Sequence, residues 1–533
     1  MAQRERLGSF DSLIWWLDRV PGMRADFSSV SVLDGKPDIW RIRNRAAQLA
    51  SRFPRLSQRI DGAPLGAMSP ALAGPRWVDT GSLRPDAAVR SLQVDGTVTR
   101  ANVLQLTTML AQTPLDMSGH PWEMTVMAGS GQGPAALVQR VHHCLADGMG
   151  WLQIAMAFTD RDPGGSASGP ADGAEVPLVA ADGAVRPGAV LPAPLRGSRA
   201  ASGKALESIL SPVVAPASRI AGVALAAVRD PRRTVQSFAA VVEVARELGS
   251  QLSLARHPGS RMMRPRSGSS GFAVLSMPSG ALLHAARHFG VSRGELSAVA
   301  VARAIGYYHR ALGESCGELR MGYPLIVSSG GEGSGNHFFP ARVLVPAGGS
   351  VMDQASGLHG RLEIARRAAA AGVLSQVSFA LTLLPAPVLD AAVRWQLGAL
   401  DFTSTVLAGA RSVRYLAGSK VMSSYPFGPL LGAAVNTTGV IWEGRLDIGI
   451  HVDTAAVRSL PLMVECMRFS FEELTGELGD RRLFERSRSR SRSRRPAERS
   501  NKGPGASTLD RKAAVSAGTR DGDLGVAGER DGG

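Results

Sequence analysis

The chain has 533 residues, 44% apolar and only 5% aromatic, enough to pack an interior but too long for one ordinary core. Cys144, Cys316 and Cys466 are odd in number and far apart, which argues against a disulfide framework and for a reducing compartment. The formal net charge is +15, and from Arg481 onward 14 basic against 7 acidic residues leave +7 of it in the tail. Such a balance suits anionic membrane surfaces or nucleic acid and chooses neither by itself.

The opening MAQRERLGSFDSLIWWLDRV has charges where a signal peptide needs an apolar run. No uncharged apolar stretch reaches the ~18 residues of a spanning helix, so a cytoplasmic protein is expected. Residues 1–160 mix helix and strand signals and read as a first lobe. Within it, PAALVQRV suits a short strand, and MGWLQIAMAF sets Trp151, Ile154, Ala155 and Phe158 on one helical stripe. Residues 161–270 read as a connecting segment. It starts as an aperiodic Gly/Pro/Ala-rich linker and continues into helical patterns around Lys204–Ile220 and Arg233–Leu254, the second after the Asp230-Pro231 break.

Residues 271–480 read as a second mixed lobe. GFAVLSMP is strand-like, while GALLHAARHFG and GELSAVAVARAIGYYHRAL are helical. Strand signals follow at LRMGYPLIVS, FPARVLVP, AVNTTGVIWEG and RLDIGIHVD, the last pair joined by a hairpin turn at Glu443-Gly444. Residues 481–533 open with RSRSRSRSRR, six arginines in ten positions, and hold almost no large apolar residue, so a disordered tail is expected. Arginine-serine repeats also occur in RNA-binding segments, but a solvated tail or a tether to acidic headgroups explains this one as well. No glycine-rich dinucleotide fingerprint follows a strand and no phosphate-binding loop motif occurs, so neither a dinucleotide nor a nucleoside triphosphate is implied.

The candidate chemistry lies in VQRVHHCLADGMGWLQ, residues 138–153. Two adjacent histidines stand there in a chain with ten, at a strand-to-helix turn where Gly148 and Gly150 permit tight backbone. On a strand His142 and His143 face opposite ways, so only one can enter a given cavity. A metal would need more ligands than His143 and Asp147 supply, and no H-E-x-x-H or cysteine pair completes a set. Cys144 as nucleophile would need a histidine that its neighbour would turn away from it; a small buried thiol is the plainer reading. A structural histidine pair in a solvated turn stays open. The chemical alternative is a histidine acting as general base, with a carboxylate ordering the site.

HHCLADG is similar to the HHxxxDG signature of the CoA-dependent acyltransferase superfamily. Upstream stand Pro114-Leu115-Asp116 and Pro121-Trp122-Glu123. With Ser9–Asp18, a second-lobe GYPLIVSSGGEGSGN containing Asn336, and the stretch Tyr425–Asp453, they make residues 7–475 resemble the wax ester synthase/diacylglycerol acyltransferase family. Two departures stand out. Arg293-Gly294-Glu295 replaces a Val-Asn-Asp group that opens a second-lobe helix, and Ser404-Thr405-Val406 replaces a Ser-Asn-Val loop. They leave the oxyanion stabiliser unassigned.

The resemblance implies an α/β (mixed α+β) fold of two chloramphenicol-acetyltransferase-like lobes, with a tunnel between them and the histidines midway along it. It implies an acyl-CoA-dependent O-acyltransferase that forms triacylglycerol from diacylglycerol, or wax ester from a long-chain alcohol. His143 is then the general base and His142 its support, with Gly148 allowing close backbone approach. Asp147 could fix the histidine tautomer; the resemblance instead implies a structural carboxylate, paired to an arginine and holding the turn. Pro114, Asp116 and Trp122 read as scaffold. No cofactor or metal is expected beyond acyl-CoA as co-substrate, and nucleic acid is not the expected partner. Another alcohol or amine acceptor, and a weakly active lipid-binding protein, are the alternatives.

An insoluble product implies peripheral attachment to the inner membrane face or to lipid inclusions. Exposed charge contacts are screened by salt. Protein bound to anionic vesicles should therefore be released mostly by 1 M NaCl in a flotation assay, and retention at that salt would instead indicate apolar insertion.

Overall fold

Strands form here where β-branched and apolar residues can be buried on a pleated face, and helices start where a short polar side chain can cap them. The computed structural model describes residues 4–20, 22–62, 74–81, 83–165, 259–326, 338–370, 385–398 and 400–492. In chain order the first part has β1 (Arg4–Arg6), α1 (Ser9–Leu17), β2 (Asp26–Leu33), α2 (Ile39–Arg52), β3 (Gln58–Asp61), β4 (Arg76–Asp79), α3 (Pro85–Ala88), β5 (Val89–Val94), α4 (Arg100–Gln112), β6 (Trp122–Gly129), β7 (Ala135–His142) and α5 (Gly148–Ala157). After the linker come β8 (Ser270–Pro278), α6 (Ser279–Phe289), α7 (Arg293–Ala311), β9 (Glu318–Ile326), β10 (Phe338–Pro346), α8 (Val351–Ala370), α9 (Ala386–Leu397), β11 (Phe402–Ala408), β12 (Tyr415–Leu416), β13 (Ser419–Phe427), β14 (Val435–Trp442), β15 (Arg445–Asp453) and α10 (Leu460–Arg492). The helical patterns at Lys204–Ile220 and Arg233–Leu254, Asn336 and the tail beyond 492 lie outside the described residues.

The local signals explain most boundaries. Asp38 caps α2 by accepting from the Trp40 and Arg41 N–H groups, while Thr99 with Asn102 and Ser292 with Glu295 form capping boxes at α4 and α7. The β14–β15 hairpin turns at Glu443 and Gly444, both at positive φ (50° and 78°), the backbone a two-residue primed turn requires.

Two six-stranded sheets form the frame: β12-β13-β2-β7-β6-β5 and β10-β9-β11-β14-β15-β8. A small third sheet, β1-β4-β3, flanks the first. The first core gathers Trp15, Trp16, Trp77, Trp122 and Trp151, and the second is built on the small, wholly buried face of α7 against β9, β11, β14 and β15. The two lobes are therefore α/β units of the expected mixed class.

They are not divided where a cut in the sequence would fall. β13, given to the second lobe by its place in the chain, pairs antiparallel with β2 from Val421↔Leu33 to Phe427↔Ser28 and completes the first sheet. Leu389 and Val393 of α9 and Trp442 of β14 likewise join the first core. The physical reason is edge closure: β2 would otherwise present an unpaired row of backbone groups beside β7.

Where the sheets meet, β13 lies against β15. Asp447, fully buried, accepts from Ser276 Oγ at 2.7 Å and from the Ser424 N–H at 3.0 Å, and the Tyr425 hydroxyl lies 3.0 Å from Ser276 Oγ. A Cβ on Gly449 would fall 1.9 Å from the Pro426 carbonyl oxygen, so the backbones touch at a distance only glycine permits. On another part of the seam, Val103 and Leu106 of α4 share an apolar cluster with Phe272 of β8 and Phe427. Gly449→Ala should force the seam apart and destabilise the protein by about 1–3 kcal/mol or more, as overpacking does. Chemical denaturation should read this as a lowered midpoint, whereas Gly476→Ala, in the exposed interior of α10 where a Cβ meets nothing, should hold the midpoint or raise it.

Candidate active site

His142 closes β7, and its backbone position is fixed on two sides. Its N–H donates to the Pro121 carbonyl at 2.9 Å, and it stands opposite Asp26 in the β2–β7 register. The side chain is buried, and Nδ1 accepts the Cys144 N–H at 3.2 Å, which leaves the ring proton of the neutral form on Nε2. Nε2 finds no hydrogen-bond partner among the described residues and lies 3.9 Å from Asp18 Oδ1. Burial holds the His142 pKa below the ordinary value, against Asp18 and Asp26, which pull it upward.

Asp18 and Ala25 carry the next step. Asp18 Oδ1 accepts the Ala25 N–H at 3.0 Å, and the Ala25 carbonyl accepts the His143 N–H at 3.1 Å. The His143 ring turns the other way from His142 and lies 4.9 Å from the Phe27 ring, centroid to centroid. It forms part of the wall of a cavity of about 240 Å³. The two histidines thus diverge as the pleat requires.

Arg140, two residues before His142 and 2% exposed, ties this strand to its neighbours. Its guanidinium donates to Glu123 Oε1 (2.7 Å), Asp26 Oδ2 (2.8 Å) and the Thr113 carbonyl (2.7 Å). The two upstream motifs acquire a scaffold role from these contacts. Asp116 accepts from Ser118 and closes a turn, Pro121 supplies the acceptor for His142, and buried Trp122 donates its indole N–H to Leu56 O at 3.0 Å.

Asp147 is the N-cap of α5 and accepts the Gly150 N–H at 2.7 Å, so the carboxylate holds the turn through the helix end. Cys144 is buried, its thiol 3.3 Å from the Asp11 carbonyl, and burial raises its pKa well above the ordinary value, the state of an inert thiol. Gly148 differs from the expectation of close backbone approach. A Cβ there would meet Leu407 Cδ1 at 3.5 Å, an ordinary contact, and its φ is not in the left-handed region. What its missing side chain leaves open is cavity, since both Gly148 and Leu407 line it.

The cavity is built by both lobes. Its first-lobe wall includes Ser29, Gln139, His143 and the inner face of α5; its second-lobe wall includes alternate residues of β11 and β14. One register row, Arg342–Gly322–Thr403–Asn436, gives it a polar end. There Asn436 Nδ2 donates to Thr403 Oγ1 at 2.8 Å, and Thr438 donates to Asn436 Oδ1 at 2.8 Å. Burial pushes the Arg342 pKa down to about 10, which still leaves it cationic near neutrality. The other end is apolar, with Leu152, Ala155, Phe158, Leu416 and Val440. Phe427 and Pro429–Leu431 separate it from a smaller cavity of about 110 Å³ beside His451, Arg24 and Arg266.

Residues 7–295 match the wax ester synthase/diacylglycerol acyltransferase catalytic domain, and residues 359–475 match the WS/DGAT C-terminal domain. The chain belongs to this family. It is an acyltransferase of the wax ester synthase/diacylglycerol acyltransferase (WS/DGAT) type. Among its relatives is a protein of Mycobacterium tuberculosis H37Rv, provisionally named a diacylglycerol O-acyltransferase. That protein is 27% identical over 479 residues, 89% of this chain and 92% of the relative. A second from the same strain, similarly named, is 26% identical over 490 residues, 88% of this chain and 96% of the relative. The fold is similar to that of a wax ester synthase/diacylglycerol acyltransferase from Marinobacter aquaeolei VT8 (TM-score 0.52, 16% identity, 88% of this chain and 98% of that one). It is also similar to the first condensation domain of the calcium-dependent antibiotic synthetase (TM-score 0.53, 16% identity, 89% and 96%).

Against this WS/DGAT frame the two motif departures acquire structural content. Arg293-Gly294-Glu295 does open a helix, α7, but Glu295 is 1% exposed and serves the fold. Burial acts to raise its pKa, yet the Ser292 N–H and the Arg366 guanidinium hold it below the ordinary carboxylate range. A Cβ on Gly294 would lie 2.5 Å from the Tyr323 hydroxyl, and Tyr323 lines the cavity. The glycine thus makes room for a polar group from β9. Ser404-Thr405-Val406 is not a loop: it lies in β11, parallel to β14 through Ser404↔Thr437 and Val406↔Gly439. Strand alternation sends Thr405 to the cavity and buries Ser404 and Val406. Thr403, Asn436 and Arg342 escaped the sequence reading; Thr403 and Asn436 open short polar runs (Thr403–Thr405, Asn436–Thr438) in otherwise apolar strands, and Arg342 stands alone in an apolar one.

Buried neutral histidines also set an acid limit. His451 Nδ1 donates to Gly428 O and Nε2 accepts from Ser270 Oγ, both at 2.8 Å, and burial pushes its pKa down to about 4. The folded state refuses a proton that the unfolded chain accepts near pH 6.5, so the stabilisation is complete above that value and drains away as pH falls toward 4. For His451 it is on the order of 3 kcal/mol. His142 and His309, also lowered by burial, act in the same direction. The Tm should fall between pH 7 and 4.5, and His451→Gln should lower it at pH 7 but flatten that slope.

Proposed function

We propose that this WS/DGAT-type enzyme transfers a fatty acyl group from coenzyme A to a lipid hydroxyl, that of diacylglycerol or of a long-chain alcohol, to form triacylglycerol or wax ester. The observation that carries the reading is the divergence of the histidine pair: His142 is locked in the protein interior, and His143 lines a cavity with one polar and one apolar end. A fatty chain suits the apolar end. The names of the Mycobacterium tuberculosis relatives support diacylglycerol as acceptor.

An alcohol is a weak nucleophile until its proton is removed as it attacks. His143 takes the hydroxyl proton, the oxygen adds to the thioester carbonyl carbon, and a tetrahedral oxyanion forms. The carbon–sulfur bond then breaks, the imidazolium returns the proton to sulfur, and ester and free coenzyme A leave. His142 supports by fixing the strand end, and Asp147 by capping α5. Thr403 is the candidate to donate to the oxyanion: its oxygen already accepts from Asn436 Nδ2, which turns its own proton elsewhere. The reaction draws on no cofactor beyond the co-substrate acyl-CoA. Among the described residues no helix is long and apolar enough to cross a membrane. With an insoluble product, we place the enzyme at the surface of the inner membrane leaflet or of lipid inclusions.

The test is coenzyme A release from palmitoyl-CoA by purified protein with dipalmitoylglycerol, hexadecanol or no acceptor. Acceptor-dependent release should fall about 10²–10⁴-fold in His143→Ala, with Tm unchanged within a few degrees. Folded wild-type protein that releases nothing with either lipid would refute neutral-lipid synthesis and direct attention to another alcohol or amine.

A further inference from the structure

The apolar end of the cavity lies beside a cluster of arginines that the reaction does not use. Phe158 and Thr159 line that end, and the chain continues directly into Asp160 and exposed Arg161. Leu416 lines it too, preceded by Tyr415 and half-buried Arg414. Asp160 and Tyr415 clamp the two segments together, exchanging backbone N–H and carbonyl groups at 2.7 and 2.9 Å. On both segments, cavity wall gives way to surface within two or three residues.

Arg41 and Arg45 reach the same place from α2. Arg41 Nη2 lies 3.5 Å from Asp160 Oδ2, and Arg45 pairs with Asp160 Oδ1. Arg41 also donates to the Pro163 and Gly164 carbonyls, both at 3.4 Å. Four guanidinium groups thus gather around one carboxylate, with exposed Asp162 the next acid along the chain. The crowding shows at Arg414: burial first, and then Arg161, holds its pKa below the ordinary value, with Asp160 pulling the other way. The cluster is open to solution, since Arg161 is exposed and the Arg41 side chain keeps 36% of its surface.

Two chemistries therefore adjoin, an apolar cavity end and an excess of positive charge just outside it. Coenzyme A joins its phosphates to its acyl chain through a polar arm, which does not match a direct change from arginine to Leu152, Phe158 and Leu416. A phospholipid layer does match it, because anionic headgroups and hydrocarbon are neighbours there. Trp40, 67% exposed and one residue before Arg41, suits the boundary between them. We propose that Arg41, Arg45, Arg161 and Arg414 form a docking surface for anionic phospholipid headgroups, which seats the apolar end of the cavity against the bilayer. Hydrocarbon then passes between bilayer and cavity without crossing water. The inference rests on the lipid acyltransferase reading above and adds to it the side of the enzyme that meets the membrane.

Vesicle binding by the full chain, measured without turnover, tests it. Flotation with phosphatidylcholine vesicles is compared with flotation on equal parts phosphatidylcholine and phosphatidylglycerol. The proteins are wild type, Arg161→Glu, Arg414→Gln and Arg287→Glu, and Tm confirms that each is folded. Arg287, exposed on α6, gives the same charge reversal as Arg161 elsewhere on the surface. The expected result on the mixed vesicles is a loss of roughly fivefold for Arg414→Gln and more for Arg161→Glu, with Arg287→Glu held within about twofold. Equal losses for Arg161→Glu and Arg287→Glu would overturn the docking surface, because net charge or the basic tail would then account for binding. Wild-type binding that is as tight without phosphatidylglycerol would overturn it too. Free coenzyme A, titrated into the same variants by calorimetry, covers the other source of phosphate. Weaker coenzyme A binding in Arg161→Glu, with vesicle binding unchanged, would overturn the proposal and assign the cluster to the co-substrate. Site-selective loss from vesicles by a protein that releases no coenzyme A would instead refute the transfer reaction and leave the docking surface standing.

Discussion

The arrangement of the candidate site depends on the burial of His142. Burial lowers the pKa of this imidazole, and the Cys144 N–H fixes its ring at Nδ1 while Nε2 lies 3.9 Å from Asp18 Oδ1. Because adjacent residues at a strand end point to opposite faces, fixing His142 inward fixes His143 outward. The surrounding hydrogen bonds converge on the same backbone: Pro121 holds His142, Ala25 holds His143, and Asp18 holds Ala25. Arg140 repeats the logic two residues earlier, binding three segments distant in sequence to β7. The preorganisation of the candidate base is thus a property of backbone and buried side chains remote from the cavity.

The legible part of this site was local. HHCLADG lies at the end of one strand and the start of the next helix, so its period and turn residues declared the divergence of the histidines and the strand-to-helix turn at Asp147, whose capping role came only from the structure. The second-lobe wall was not legible in that way. Thr403 and Asn436 meet because β11 and β14 run parallel in register across 33 residues of chain, a pairing that no local pattern announces. Ser404-Thr405-Val406 was expected in a loop because the family resemblance puts its Ser-Asn-Val counterpart in one. Its burial between β9 and β14 follows from sheet order alone. Gly148 shows the converse error, a glycine read for backbone freedom whose use is the space it leaves beside Leu407.

The fold as a whole was legible at the level of elements and less so at the level of lobes. Hydrophobic period and turn residues placed β7, α5, β8, α6, α7 and the β14–β15 hairpin close to where they are. Which sheet each strand joins is a question of edges. An open β2 edge would be a liability, and the segment that covers it comes from nearly four hundred residues later in the chain. The same segment reaches β15 at Gly449 and Asp447, so a single strand both completes one sheet and fixes it to the other.

That exchanged strand also governs the order in which the molecule can be made. A ribosome delivers residues at about 5–20 per second, and domains usually settle as they emerge. Here the strand bearing the histidines appears early, beside a β2 whose outer edge stays uncovered until residues 419–427 have been synthesised. For much of its synthesis the half that holds the candidate base is therefore an unfinished sheet, exposed to pairing with other nascent chains. The lobe that holds the candidate base is not complete in one continuous stretch of chain; a strand of its sheet belongs to the other end of the gene.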